Sequence, residues 1–271
     1  MSSETDLAKS VAPPPCLAGR VALVTGSSSG AGVAIATSLA QCGARVAVTG
    51  RAGIAGAEAV AKQLRGAGHI AAAFQADLFD SGALHRLVGE IEASLGNVDV
   101  LVNNAGPYAD APLATLAEAE WDLVMGVNLK ATWLASRRVA PGMIRGGWGR
   151  IVNIGATSGL VRSHSVYGIA KAAVLVLTET LALELAPAVT VNALVPSQIA
   201  SARTDRLANY KAAAIAGTPL GRLVTEAEIG RMVALMCGPD FDFMTGRTII
   251  MDGGRALPAF PRIGLGTSGQ P

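Results

Sequence analysis

The sequence has few charged residues and no long run of basic ones, which argues against some classes of protein. Charged residues make up 15% of the 271 residues, hydrophobic residues make up 51%, and the formal net charge is +2. Proteins that bind nucleic acid usually carry a basic patch, so we expect no nucleic-acid partner. The apolar content is typical of a well-buried globular protein with an apolar subunit interface.

Cysteine is also scarce, and the chain has only Cys16, Cys42 and Cys237. These residues lie far apart and lack the close spacing of metal ligands, so we predict no metal site. An odd number of cysteines without a secretory signal indicates reduced thiols in a cytoplasmic protein. We expect Cys42 and Cys237 to pack in the core.

The N-terminal residues do not have the apolar segment of a signal peptide, because Glu4, Asp6 and Lys9 occur there. The longest uncharged run, residues 21–44, is long enough to cross a bilayer. It is interrupted by the glycine- and serine-rich residues 26–30. We therefore interpret it as a buried strand, a tight turn and a buried helix, and expect no membrane partner.

Short apolar runs typical of strands alternate with helical periodicity along the chain. Strands are predicted at 21–25, 45–49, 70–75, 98–102, 149–154, 189–195 and 245–251. Helices are predicted at 33–39, 55–64, 84–95, 117–138, 167–185 and 226–237. The alternation predicts an α/β fold, a Rossmann-like doubly wound parallel sheet of about seven strands with helices on both faces.

No change in composition divides the chain, so we expect a single domain over residues 19–256. Residues 1–18 include three consecutive prolines and are predicted to be a flexible N-terminal tail. Residues 257–271 are predicted to be a C-terminal tail. The alanine- and leucine-rich stretch at about 198–224 is predicted to form a lid of short helices.

A glycine-rich turn between the first strand and the first helix predicts a dinucleotide site. Glycines there let the backbone approach a pyrophosphate, and the helix N-terminus supplies free N–H groups and the positive end of its dipole. The residues expected to contact the cofactor are Thr25, Gly26, Ser28, Ser29, Gly30, Ala31 and Gly32.

The end of the second strand predicts which dinucleotide is bound. Folds that prefer NAD usually have an acid there, which bonds the ribose 2′-hydroxyl. Here Gly50 stands at that place, and Arg51 follows it. Because an arginine can make a bidentate contact with a 2′-phosphate, we predict that the cofactor is NADPH.

Tyr167 and Lys171 share one face of the predicted helix 167–185, because they are four residues apart. A phenol with a pKa of about 10 is a poor acid near neutral pH. A neighbouring lysine cation favours the phenolate and so is expected to lower that pKa. The pair can then exchange a proton with a substrate oxygen.

Together with these motifs, the chain resembles the short-chain dehydrogenase/reductase family over roughly residues 18–256. Within the family it most resembles the β-ketoacyl carrier-protein reductases and polyketide ketoreductases. The motifs that carry the resemblance are Thr25-Gly26-x3-Gly30-x-Gly32, Asp77, Asn103-Asn104-Ala105-Gly106, Asn128, Tyr167-x3-Lys171, Asn192-Ala193-x-x-Pro196 and Asp252-Gly253-Gly254.

The resemblance implies catalytic roles for three of these residues. Tyr167 would be the acid that protonates a carbonyl oxygen, or the base in the reverse direction. Lys171 would lower the pKa of Tyr167 and hold the nicotinamide ribose. Asn128 would shape its helix and anchor a proton-relay water.

The resemblance also implies further cofactor contacts. Ser197 stands where the family usually has glycine, and Ser201 where it usually has threonine. Two motifs have equally good structural explanations, Asn103 as a helix cap and residues 252–254 as a turn near an interface. The additional residues expected to contact the cofactor are Asp77, Leu78, Asn104, Ala105, Gly106, Pro196, Ser197, Ile199 and Ser201.

One departure from the family concerns the catalytic serine that usually follows the fifth strand, because Ala156 occupies its position. Ser158 is our first candidate to replace it, since side chains two residues apart on an extended segment point the same way. The alternatives are Thr157, Ser163 or Ser165, or a site that works without this hydroxyl. His164 is a further candidate acid or base, although a lone loop histidine is more often solvated.

These features predict an NADPH-dependent ketoreductase that acts reversibly on an apolar ketone, with cyclic and polyketide-derived ketones among the candidates. Cationic residues in the lid would suit a ketone with an anionic or phenolic group, or a carrier-protein thioester. The alternatives are a fatty-acid type 3-oxoacyl carrier-protein reductase and, because of Ala156, a cofactor-binding protein with a sensor or non-redox role. In the family that the chain resembles, the two long helices, here 117–138 and 167–185, commonly pair across a two-fold axis, so the resemblance implies a homotetramer of dihedral symmetry.

Overall fold

Strands and helices alternate along the chain in the predicted order. The computed structural model describes residues 16–51, 53–161 and 165–257. The strands are β1 Val21–Val24, β2 Arg45–Gly50, β3 Ala71–Gln75, β4 Val98–Asn103, β5 Gly149–Ile154, β6 Val189–Pro196, β7 Ile199–Ala200, β8 Val224–Thr225 and β9 Thr248–Met251. The helices are α1 Gly30–Gln41, α2 Ala55–Gly66, α3 Ser81–Leu95, α4 Glu118–Met125, α5 Ala131–Arg145, α6 Thr157–Leu160, α7 Val166–Leu185, α8 Ala202–Asp205, α9 Ala208–Ala216 and α10 Glu226–Cys237.

The main sheet has seven parallel strands in the order β3-β2-β1-β4-β5-β6-β9. The strand order reverses beside β1, which pairs with β2 on one side and with β4 on the other. In sheets of this kind, ligands bind outside the carboxyl ends of the strands at such a switch point. The predicted doubly wound fold is confirmed.

The two faces of the sheet are covered by different helices. Every residue of β1 and β5 is buried, as expected for parallel strands with helices on both sides. One core contains side chains of α1, α2 and α10, and the other contains side chains of α3, α5 and α7. Cys42 and Cys237 lie in the first core, as predicted.

A close backbone approach joins α1 to α10. A Cβ atom on Gly230 would lie 2.4 Å from the carbonyl oxygen of Ala34, so only glycine fits there without a shift of one helix. This contact fixes the position of α1, whose first turn faces the switch point of the sheet.

The helix predicted at 117–138 is instead divided by a turn of π-helix, Gly126–Lys130, between α4 and α5. A π turn adds a residue to the helical repeat and changes which side chains face inward. It leaves Asn128 fully buried. The helix also continues to Arg145, beyond its predicted end at Arg138, because Met143 extends its buried apolar face.

Two predicted boundaries differ slightly from the structure, the start of the domain and the start of its last strand. Leu17 is fully buried, and its N–H donates to the carbonyl oxygen of Cys42 at 2.9 Å. The folded part therefore begins earlier than the predicted residue 19, because the leucine after the prolines packs in the core. The last strand begins at Thr248 rather than 245, since Gly246 is in a left-handed turn.

The predicted lid consists of the short helices α8 and α9 between β7 and β8, which pair as a second, two-stranded parallel sheet. Helix α7 is long and apolar enough to cross a membrane by length and composition alone. It contacts β6, β5 and the π turn of the domain, and this packing explains its apolar composition equally well.

Candidate active site

The glycine-rich turn after β1 is held in place by the segment after β4. Gly26 and Gly30 have φ values of +65° and +59°, a conformation that other residues rarely adopt. The side-chain oxygen of Thr25 accepts hydrogen bonds from the N–H groups of Asn104 and Ala105, at 2.9 and 3.1 Å. The Asn104 side chain in turn donates to the carbonyl oxygen of Thr25 at 3.0 Å. Thr25 and Asn104 therefore shape the turn.

The first turn of α1 has free hydrogen-bond donors. Its N-cap residue, Ser29, makes no side-chain cap, and the first turn contains no acidic residue. Ser29 and Gly30 are exposed, whereas Ser28 and Ala31 are half-buried. Open N–H groups at the N-terminus of a 12-residue helix suit a phosphate group, so the turn fits the pyrophosphate of a dinucleotide.

Gly32 allows this turn to pack against its own helix. A Cβ atom there would lie 2.3 Å from the carbonyl oxygen of Gly26 and 2.9 Å from the side-chain nitrogen of Asn104. Gly32 is buried, so it supports the turn from behind and does not present a surface to a ligand.

The ends of β2 and β3 bring the other predicted nucleotide contacts to the same edge of the sheet. Gly50 is buried, and a Cβ atom on it would lie 3.3 Å from Ser28 Oγ. Arg51 follows it, is exposed, and makes no salt bridge with any described residue. Asp77 is exposed after β3 and accepts a hydrogen bond from Phe79 N at 3.0 Å, while Leu78 is half-buried.

Tyr167 and Lys171 lie on one face of α7, as predicted. Ser165 is the N-cap of this helix and accepts a hydrogen bond from Gly168 N at 3.1 Å. Lys171 is 4% exposed, and its Nζ donates to the carbonyl oxygen of Ile154 at 2.8 Å. The same Nζ lies 5.6 Å from the centroid of the half-buried Tyr167 ring.

Burial shifts the pKa values of both groups toward their neutral forms. Burial raises the pKa of Tyr167 to about 12, the neighbouring Tyr108 adds to the rise, and Arg203 opposes it. Burial lowers the pKa of Lys171 from 10.5 to about 8. The expected lowering of the Tyr167 pKa by Lys171 is therefore wrong for the protein alone, because burial raises that pKa. The phenol is fully protonated at neutral pH and can act as an acid.

Asn128 joins the π turn to the loop after β4. Its side-chain nitrogen donates to the carbonyl oxygens of Val124 and Pro107, both at 3.0 Å. Its Oδ1 is buried and has no hydrogen-bond partner among the described residues. A Cβ atom on Gly106 would lie 2.0 Å from that oxygen. An acceptor of this kind fits the expected role of anchoring a water.

Asn103 is part of a buried polar network, so its interpretation as a helix cap is wrong. Its side-chain nitrogen donates to Asn153 Oδ1 at 2.9 Å and to Ser136 Oγ at 3.3 Å. Asn153 in turn donates to Thr178 Oγ1 at 2.9 Å. Sequence reasoning missed Asn153, although an asparagine inside a buried strand is a signal that it needs such partners.

The loop after β5 is not extended, which removes the reason for which Ser158 was predicted. Ala156 is extended, with φ −157° and ψ 153°, but α6 begins directly after it. A helical turn does not place residues 156 and 158 on the same side. Thr157 is buried, Ser158 is half-buried, and neither side chain makes a hydrogen bond with Tyr167. The candidates Ser163 and His164 lie outside the described residues.

The segment after β6 leads into the lid. Pro196 ends the strand, Ser197 N donates to the carbonyl oxygen of Met251 at 3.1 Å, and Ile199 is half-buried in β7. Ser201 caps α8 and accepts a hydrogen bond from Thr204 N at 3.3 Å. Residues 252–254 form a turn, in which Asp252 Oδ1 accepts from the N–H of residue 254 at 2.9 Å.

Two residues at the mouth of the site, Tyr108 and Tyr210, were not predicted, and Arg203 was expected only as one of the cationic residues of the lid. The Tyr108 ring packs edge-on against Tyr167, with 5.0 Å between centroids, and the Arg203 guanidinium lies 5.3 Å from the Tyr108 centroid. Tyr210 lies near enough to raise the pKa of both other tyrosines. A tyrosine two residues after Gly106, at the end of β4, was a signal that it would lie near the site.

The lowered pKa of Lys171 predicts a pH-dependent stability. Between pH 8 and 10.5 the unfolded chain still binds a proton that the folded protein has released, so stability rises with pH there. We expect the free energy of unfolding of the natural protein to rise by up to about 3 kcal/mol relative to Lys171→Met across this range. Urea denaturation at a series of pH values measures this difference, which is expected to be constant below pH 7. An equal difference at pH 7 and pH 10 would contradict a pKa near 8 for Lys171.

Comparisons with known proteins agree with this geometry. A family model described as enoyl-(acyl carrier protein) reductase matches residues 26–256. The chain is 36% identical over 237 residues to the 3-oxoacyl-[acyl-carrier-protein] reductase FabG of Staphylococcus aureus, covering 86% of this chain and 96% of the relative. It is 35% identical over 239 residues to Nodulation protein G of Azospirillum brasilense, covering 87% and 97%.

A solved structure also shares the fold over nearly the whole chain. It is a gluconate 5-dehydrogenase from Burkholderia cenocepacia J2315, crystallised with NADP and tartrate. The TM-score is 0.84 at 31% identity, and the match covers 90% of this chain and 98% of that one. The ordered motifs, the sheet and these relatives show that the chain belongs to the short-chain dehydrogenase/reductase family of oxidoreductases, which act on alcohol and carbonyl groups with a nicotinamide cofactor.

Proposed function

We propose that the protein is an NADPH-dependent ketoreductase that reduces an apolar ketone and also catalyses the reverse oxidation of the alcohol. The observation that carries this proposal is the placement of the Tyr167 phenol beside the buried ammonium group of Lys171, at the carboxyl ends of the strands. The phenol can donate its proton to a carbonyl oxygen, and the phenolate can accept one from an alcohol. The pair therefore supports both directions of the reaction.

In the proposed reaction the ketone gains a hydride at carbon and a proton at oxygen, and NADPH becomes NADP⁺. The nicotinamide supplies the hydride when bound. Tyr167 donates its hydroxyl proton to the carbonyl oxygen, and Lys171 places a positive charge beside the phenolate that remains. The proton is then replaced from solvent, for which the buried oxygen of Asn128 is positioned to hold a relay water.

For the second donor to the carbonyl oxygen, we propose Ser158. Helix α6 packs directly against α7, where a Cβ atom on Gly159 would lie 2.8 Å from the carbonyl carbon of Lys171. This contact brings α6 next to the helix that carries Tyr167. The Ser158 hydroxyl has no hydrogen-bond partner among the described residues, so it is free to donate to a substrate.

The reaction and both donors are tested with three variants. Loss of NADPH absorbance with a panel of ketones is expected for the natural protein. Tyr167→Phe is expected to lower kcat by about 10²–10⁴ because the acid is lost, and Ser158→Ala by about 10²–10³ because one preorganised donor is lost. Thr157→Val is the matched control and is expected to keep nearly full activity. If Ser158→Ala keeps full activity while Tyr167→Phe is inactive, the role of Ser158 as second donor is refuted and the role of Tyr167 is not.

We propose NADPH rather than NADH because of Arg51. The acid that would bond a ribose 2′-hydroxyl is missing at Gly50, whose replacement is also restricted by Ser28. The Arg51 guanidinium is exposed beside the same turn. The related gluconate 5-dehydrogenase crystallised with NADP further supports this preference.

The preference is tested by measuring kcat/KM for both cofactors. We expect Arg51→Ala to lower kcat/KM for NADPH by about 10–100-fold, because a charge-assisted contact to the 2′-phosphate is lost, and to leave the value for NADH nearly unchanged. Arg145→Ala, which removes an exposed arginine from the end of α5, is the control. Equal kcat/KM values for NADPH and NADH in the natural protein would contradict the proposed preference for NADPH.

Two other functions fit parts of the chain. The 36% identity to FabG favours a fatty-acid type 3-oxoacyl carrier-protein reductase, which would prefer acyl thioesters over free ketones in the same assay. The alanine at the usual serine position favours a cofactor-binding protein with a sensor or non-redox role. That protein would bind NADPH without consuming it in the presence of any ketone.

We also propose a cytoplasmic homotetramer of dihedral symmetry. Helices α4, α5 and α7 leave large apolar side chains exposed, including Trp121 (38%), Trp133 (40%), Val176 (64%) and Leu183 (84%). Such a surface suits a large subunit interface. Light scattering at micromolar concentration is expected to give four times the monomer mass of 27.4 kDa. A monomer mass there would contradict the assembly.

A further inference from the structure

All three tyrosines of the chain, Tyr108, Tyr167 and Tyr210, come together at the mouth of the proposed active site. They belong to the loop after β4, to α7 and to α9, which are distant in sequence. Tyr108 and Tyr210 are about half exposed, at 47% and 48%. The two rings therefore face solvent next to the catalytic phenol, where a substrate must enter.

Arg203, on the lid helix α8, lies over the ring of Tyr108 on the exposed side of this group. Its guanidinium carbon lies 5.3 Å from the Tyr108 centroid, and that centroid lies 5.0 Å from the centroid of Tyr167. The guanidinium is therefore within ~10 Å of the Tyr167 ring. Its charge reaches the phenol, because it lowers the pKa of Tyr167 against the larger effect of burial.

The arginine makes no salt bridge with any described residue. The acid closest to it in sequence, Asp205, is paired with Lys211 at 2.7 Å. The carboxylate of Asp110 accepts a hydrogen bond from the Tyr108 hydroxyl at 3.1 Å. The carboxylates around Arg203 thus have other partners, and Arg203 is exposed.

Stacking on Tyr108 does not use the hydrogen-bonding edge of the guanidinium. A guanidinium carries five N–H donors in its plane, and two of them can bind one carboxylate or phosphate side by side. None of these donors is hydrogen-bonded to a described residue, so they are available to a ligand. The same contact between Arg203 and Tyr108 would also be expected if it only held the lid in place. An experiment must therefore distinguish anion binding from a purely structural role.

We propose that Arg203 binds an anionic group of the substrate, so that the preferred substrate is a ketone that also carries a carboxylate or phosphate. This inference rests on the proposed ketoreductase function. The ketone would lie against Tyr167, the apolar part between the rings of Tyr108 and Tyr210, and the anion at Arg203. The anion could come from a small oxo acid or from the phosphate of a pantetheine thioester, and both present paired oxygens to the guanidinium.

The experiment compares matched substrates that differ only in the anion. The first pair is 4-oxopentanoate and its methyl ester, and the second is S-acetoacetyl-phosphopantetheine and its dephosphorylated form. For each pair the measured quantity is the ratio of kcat/KM for the anionic member to that for the neutral member. Arg203→Gln is expected to lower this ratio at least about tenfold, mainly through KM, because a charge-assisted contact is lost. Arg203→Lys is expected to lower it less, since the charge is kept and the fork is lost.

Arg206→Gln is the matched control, because Arg206 is an exposed arginine three residues away on the same lid. It is expected to leave the ratio unchanged. A fall confined to one pair identifies the source of the anion. An equal fall in the rates of both members of a pair would overturn the proposal and assign Arg203 to lid structure, as would a natural enzyme without preference for either anion.

A failure of the proposed function itself would be visible separately, because the natural protein would then reduce neither the neutral nor the anionic ketones. Calorimetric titration with 4-oxopentanoate decides the role of Arg203 in that case. Binding that is lost in Arg203→Gln and kept in Arg206→Gln would still support the anion site. Equal binding by the natural protein and Arg203→Gln would overturn it.

Discussion

The hydrogen bond from the buried ammonium of Lys171 to the carbonyl oxygen of Ile154 is the contact on which the site depends. A buried charge is costly unless it is paired or hydrogen-bonded, and this one is 4% exposed. The bond therefore fixes α7 against the end of β5. Once α7 is fixed, Tyr167 lies at the carboxyl edge of the sheet. Helix α6 then passes so close to the backbone of Lys171 that only a glycine fits at position 159.

The second fixed part of the site is the pairing of the segments after β1 and β4. Asn104 donates two hydrogen bonds to Thr25, from its backbone N–H to the hydroxyl and from its side chain to the carbonyl oxygen, so the segment after β4 sets the shape of the glycine-rich turn. The Asn103 network continues from that strand to β5, α5 and α7. The residues proposed to bind the cofactor and to donate the proton are thus connected through buried polar contacts rather than through the lid.

The alternation of strands and helices could be predicted from the sequence because the strands of a parallel sheet leave short apolar runs, and each of the seven strands of the main sheet has one. Tyr167 and Lys171 could be placed together because their spacing matches a helical turn. The π turn at Asn128 could not be predicted, since it depends on how the helix packs and not on local propensity. Helix α6 could not be predicted for the same reason. The choice of Ser158 as a donor therefore rested on an extended segment that the structure does not contain. Arg203 and Tyr210 lie at the site because of the way the lid folds, and no spacing of residues in the sequence predicts this.

The meeting of all three tyrosines at one site has a practical consequence for spectroscopy. Phenol signals are usually averaged over many distant positions in a protein. Here the three tyrosine rings lie in one small volume. All of their ring resonances in an NMR spectrum, and all of the ultraviolet absorption of their phenolates, therefore arise there. Isotope-labelled tyrosine incorporated into the natural protein would therefore report on the entrance of the active site and on no other part of the fold.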